Sequence, residues 1–68
     1  MAIARVTEIK ASSVKSFDDA IKLGVARAKK TLTGIQSAWI ENQEVIINGK
    51  GLIAEYRVQM KITFILEE

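Results

Sequence analysis

Sixty-eight residues without a single cysteine or histidine make one domain, 1–68, and exclude disulfides and the usual zinc sites as its support. A net charge of +2 is too small to point to nucleic acid or an anionic membrane surface, and no apolar run approaches the roughly eighteen residues of a membrane span. A chain this short buries only about 60% of its unfolded surface, so a lone core is marginal and association is the remedy left.

The first predicted element is a half-buried strand over 2–11, where Ile3, Val6, Thr7 and Ile9 stand among charged neighbours. Its alternation of polar and apolar residues offers no signal-peptide core, so the expected location is cytoplasmic. Ser12 and Ser13 are expected to break the strand.

A helix is predicted over 16–33. Ser16 supplies the N-cap, and Asp18 and Asp19 meet the positive end of the helix dipole. Phe17, Ala20, Ile21, Gly24, Val25, Ala28 and Leu32 recur at the spacing of one helical face. Lys22, Arg27, Lys29 and Lys30 lie opposite, and Gly34 suits the C-cap. Gly24 costs about 1 kcal/mol against alanine in mid-helix, which implies close approach of the helix to a sheet.

Two further strands follow as a hairpin. Asn48-Gly49 is the turn signal, with Gly51 as a bulge or an alternative register. In the incoming strand, 35–47, Ala38 and Ile40 share one parity and Val45 and Ile47 the other, which predicts a bulge near 42–44. The last strand alternates longest: Leu52, Ala54, Tyr56, Val58, Met60, Ile62, Phe64 and Leu66 form one apolar face. Such a strand belongs in the middle of the sheet. The expected fold is therefore α+β, a single β-α-β-β domain whose three-stranded antiparallel sheet, in the order 1-3-2, packs on one helix.

One helix covers one face. The other presents Trp39, Glu41, Arg57, Gln59, Thr63 and Ile65. Tryptophan and arginine are enriched in interfaces, and the outer strands would leave unpaired edges, so a closed homo-oligomer is expected. The absence of histidine, cysteine and a glycine-rich phosphate loop, and of a visible base beside Ser12-Ser13, predicts a protein that is not an enzyme.

The stretches "ARVTEIKASS", "SFDDAIKLGVARAKKTL" and "EYRVQMKITFILEE" resemble the dodecin family over nearly the whole chain. The resemblance implies a hollow homododecamer of β-α-β-β subunits, in which many members bind and sequester flavins without turnover. It also implies a tryptophan from the second strand stacking on the isoalloxazine ring, and a glutamine on the last strand at its polar edge.

This chain departs from that pattern twice. Aligned through Thr31-Leu32 without a gap, the flavin tryptophan falls on Ser37, and Trp39 lies two residues on, roughly 7 Å along the strand. An insertion before Trp39, balanced by a loss in the hairpin, would restore it. Arg57 follows Tyr56 where the flavin type has glutamine; arginine only donates, and Gln59 could supply the missing acceptor. Tyrosine-arginine is the mark of a second, calcium-dodecin-like branch, so the chain looks intermediate between the two.

The candidate cofactor-binding residues are accordingly Trp39, Arg57, Gln59 and Ser37, for FMN, riboflavin or a related flavin. Trp39 packed across a subunit interface, and Arg57 paired there with Glu41 or Glu55, are the alternatives. Ca2+ is the alternative ligand, with Glu41, Asn42 or Glu44 contributed by several subunits and no metal-binding motif to assign.

Overall fold

The computed structural model describes residues 3–66. β1 (Ile3–Ser13), α1 (Phe17–Ala28), β2 (Ile35–Ile47) and β3 (Ile53–Leu66) follow one another, and the sheet is antiparallel with the order β1-β3-β2. Element order and sheet topology agree with the sequence reading. Ala2, expected at the start of the first strand, and Glu67, at the end of the last, lie outside the described residues. Among the described residues no helix is long and apolar enough to cross a membrane.

β1 is longer than expected, because Ser12 and Ser13 pair with Arg57 and Tyr56 instead of breaking the strand. Buried Ser13 then ties the strand end to the helix start. Its Oγ donates to Asp19 Oδ2 at 2.5 Å and accepts from the Lys15 N–H at 2.9 Å. Ser16 caps α1 as its position predicts, its Oγ accepting from the Asp19 N–H at 3.0 Å.

α1 ends at Ala28, five residues before the predicted limit of 33. The N–H groups of Lys30 and Thr31 donate to the carbonyls of Arg27 and Ala28 at 3.2 and 3.1 Å, three residues back, which tightens the last turn. Gly34 is therefore not the helix cap. With φ +72° it turns the chain into β2, and its carbonyl accepts from the Ile65 N–H at 2.9 Å.

The hairpin turn is also wider than a two-residue Asn48-Gly49 loop. The Gly51 N–H donates to the Asn48 carbonyl at 3.0 Å, and Gly51, not Gly49, takes the positive φ (+78°). Asn48 Oδ1 accepts from the N–H groups of Lys50 and Leu52 at 2.9 and 3.1 Å, holding the turn from inside. Leu52 stands before β3 and is 60% exposed, and a register shift opposite Ala54 delays the regular apolar face to Tyr56.

The core is a single cluster in which Val58, Met60 and Ile62 of β3 meet Ala20 of α1. Ile9 and Ala11 of β1 and Phe17, Ile21 and Val25 of α1 pack around it. Phe17 sets its ring edge-on to Tyr56, with centroids 5.2 Å apart. Gly24 allows this closeness. A Cβ there would stand 2.6 Å from Met60 Cε and 2.9 Å from Ala11 Cβ.

The subunit is 53 × 19 × 14 Å, with a radius of gyration of 14.1 Å against about 11 Å for a compact chain of this length. It exposes 5116 Å2 where a compact monomer of 7.5 kDa exposes about 4,200 Å2. Leu23 on α1 and the paired Ile47 and Ile53 at the hairpin end contribute to that excess.

Helix propensity alone would make Gly24→Ala stabilising by about 1 kcal/mol. Overpacking of about 1–3 kcal/mol opposes it, because Met60 can swing away but Ala11 is held by the sheet. Thermal unfolding should find Gly24→Ala no more stable than the parent and Gly24→Val less stable by about 2 kcal/mol or more. A higher melting temperature for Gly24→Ala would disprove the close approach.

Candidate functional site

Strict alternation in β3 places Arg57, Gln59, Lys61 and Thr63 on the face turned from α1, since Val58, Met60 and Ile62 are committed to the core. Antiparallel pairing on both sides then fixes what stands beside each. Val6, Thr63 and Ser37 form one row across the sheet, and Glu8, Lys61 and Trp39 the next. Lys10, Gln59 and Asn42 follow, then Ser12, Arg57 and Glu44.

β2 reaches this register through two irregularities, the first at Gln36, which is passed over between the pairs Ile35–Phe64 and Ser37–Thr63. Trp39 pairs with Lys61 and Ile40 with Met60, but Asn42 already pairs with Gln59, so Glu41 is the extra residue. The parity switch expected near 42–44 thus occurs slightly earlier. Glu41 reaches Lys61, with 3.4 Å between Nζ and Oε1. The run Glu41-Asn42-Gln43-Glu44 carries no apolar residue to mark which position is the surplus one.

All four candidate residues share the open face, but they are not equally close. Trp39 lies two residues beyond Ser37, and its side chain is free: the residue is 71% exposed. Gln59 is diagonal to Trp39, a separation of about 7 Å. Arg57 stands four residues along β3 from the tryptophan row, roughly 13 Å away. Its Nε approaches Glu55 Oε1 at 3.3 Å, so of its two expected partners Glu55 takes it within the subunit, while Glu41 takes Lys61.

Sequence reasoning missed Glu8 and Lys61. Gln59 Nε2 donates to Glu8 Oε1 across the strands, and Lys61 lies directly between Glu8 and Trp39 in the same row. Their signal was the β1–β3 register, which composition does not reveal. The face balances four carboxylates (Glu8, Glu41, Glu44, Glu55) against three cations (Lys10, Arg57, Lys61), too evenly for a polyanion surface. Among the described residues no group of three or more acidic, histidine or cysteine side chains could hold a metal ion within one subunit.

A search of the curated proteins finds no match. Solved structures do match along the full length. The dodecin from Streptomyces davaonensis superposes with a TM-score of 0.93 at 34% identity, covering 98% of this chain and 97% of that one. The Thermus thermophilus dodecin, as a point variant, gives 0.92 at 28% identity over 100% of both chains. The calcium dodecin of Mycobacterium tuberculosis, described as a calcium-chelating immunodominant antigen with a novel calcium-binding site, gives 0.84 at 25% identity over 96% and 91%. The Dodecin family model matches residues 3–67. With that match over nearly every residue and a shared β-α-β-β topology, the chain belongs to the dodecin family.

Proposed function

We propose that the chain assembles into a homododecameric shell that binds and sequesters flavins without turnover. The observation that carries this reading is the exposed indole of Trp39 on a sheet face that no element of the subunit covers. An indole in water is an unfavourable arrangement that a stacked aromatic ligand relieves, by about 1 kcal/mol beyond burial. The fit extends to the ring edge. Gln59, diagonal to Trp39, has a carbonyl that the Glu8 contact leaves free to accept, and Arg57 brings donors for a carbonyl or a phosphate. Ser37, one row beyond Trp39, leaves room where a bulkier side chain would compete with the ligand.

Assembly is supported by the surplus surface and elongated shape, and by the exposed hydrogen-bonding edges of β1 and β2. Nothing in the site resembles a reaction centre, and its groups are those of a binding platform. The family likeness and small size fit a cytoplasmic protein.

The likeness to the calcium dodecin supports a second reading, a flavin-free shell that binds a cation such as Ca2+. It ranks second because Glu41 is already paired with Lys61, and Glu44 faces Arg57 across the strands. Six to eight oxygen ligands would have to come from several subunits at once.

Light scattering should return about 90 kDa, the mass of twelve 7.5 kDa subunits, and a monomer or dimer mass would overturn the shell. Titration of riboflavin or FMN with the ligand-stripped protein should quench flavin emission saturably, and Trp39→Ala should weaken binding about tenfold or more. If micromolar protein leaves the emission unchanged, the flavin reading fails, and a calcium titration by calorimetry becomes the test of the second.

A further inference from the structure

We infer that Glu8 is a positioning residue for ligand recognition: it fixes the amide of Gln59 so that the carbonyl, not the NH2, faces a planar ring stacked on Trp39. The ligand feature selected is a ring imide N–H. This rests on the flavin reading and deepens it by naming what discriminates among planar ligands.

A free glutamine amide presents either end to a ligand and so selects neither donors nor acceptors. Gln59 is not free. Its Nε2 donates to Glu8 Oε1, a contact between residues 51 apart in sequence that the β1–β3 register brings together. An ionised carboxylate accepts only, so the atom facing it must be the amide nitrogen and Oε1 is left pointing away. The orientation of the amide is thus dictated by chemistry. Lys61 pairs with Glu8 across the strands but sends its amine to Glu41 on the other side, so it does not compete for Glu8.

The geometry toward the ligand is local. Trp39 and Gln59 are a diagonal cross-strand pair, near enough for a ring lying on the indole to present its edge to the amide. Of the other long polar groups nearby, Lys10, Lys61 and Arg57 are donors only, the Glu41 carboxylate is engaged with Lys61 and that of Glu44 faces Arg57. Asn42 sits across Gln59 with no side-chain hydrogen bond of its own among the described residues. A ring N–H therefore finds its oriented neutral acceptor in Gln59. A site built to accept a hydrogen bond rejects an analogue lacking the donor, because the acceptor is then left unpaired.

The test uses the ligand-stripped full-length protein with two tail-less probes, lumiflavin and lumiflavin methylated at the imide nitrogen, each followed by quenching of flavin emission. The parent should bind the methylated probe about tenfold more weakly. Glu8→Ala and Gln59→Ala should each shrink that gap to about threefold or less, with assembly checked by light scattering. Glu8→Gln keeps the shape but faces Gln59 with either end, so it should narrow the gap partially, and it serves if Glu8→Ala does not assemble. Equal binding of both probes by the parent overturns this inference while leaving the flavin reading intact. A gap lost in Glu8→Ala but kept in Gln59→Ala makes Glu8 the direct acceptor and overturns its positioning role. A full gap in Glu8→Gln also overturns it. Absence of quenching with both probes defeats the flavin reading itself.

Discussion

Twelve residues of α1 span about 18 Å, whereas the fourteen residues of β3 run about 46 Å, and one helix must cover that sheet. Much of the molecule follows from this mismatch. The core is confined to the stretch of β3 between Val58 and Ile62, where the helix lies. The hairpin end projects past it with Ile47, Leu52 and Ile53 in solvent. A subunit built in this way has a small interior for its length, and the uncovered surface is what the proposed assembly would use.

Within that small core the helix compensates for its length by coming close. Ala20, Gly24 and Ala28 form the seam along which α1 meets the sheet, and each is small. A larger residue at any of them would lift the helix and open space around Met60, which fills the gap at the centre with a flexible side chain. Close packing of small residues on one long methionine therefore holds the helix close against the sheet. It also holds the opposite face of β3 in fixed register, and that is the face on which Gln59 and Lys61 stand.

The β-α-β-β order, the helix N-cap and the central position of β3 were legible because each rests on a long periodic pattern or a specific capping residue. Gly24 was legible too, since glycine in a helical core position has few explanations. Three features were not. The early end of α1 depends on hydrogen bonds from Lys30 and Thr31 reaching back three residues rather than four, which no side-chain pattern announces. The turn at Asn48 takes its positive φ at Gly51, with the Asn48 side chain binding two backbone N–H groups inside the turn, a local choice between two glycines that the Asn-Gly pair does not announce. The bulge sits at Glu41, inside a polar run in which no apolar side chain marks the surplus residue. Of the candidate site, the shared face of Ser37, Trp39, Arg57 and Gln59 followed from parity, but Glu8 did not, since its role arises only once β1 is laid against β3.

The two departures from the flavin-binding pattern are coupled by the geometry of the sheet. On an ungapped alignment the positions expected to match that pattern's tryptophan and glutamine are Ser37 and Arg57, which stand six residues apart along β3, about 20 Å, because Ser37 pairs with Thr63. Trp39 lies two residues onward in β2 and Gln59 two residues onward in β3. In an antiparallel pair those two steps run toward each other, and the separation falls to about 7 Å. Either step alone would close that separation only to four residues along β3, about 13 Å. Together they place an exposed aromatic surface beside a carbonyl whose direction Glu8 fixes. Arginine at 57 then has no need to imitate an acceptor, and its pairing with Glu55 leaves further guanidinium N–H groups free to donate.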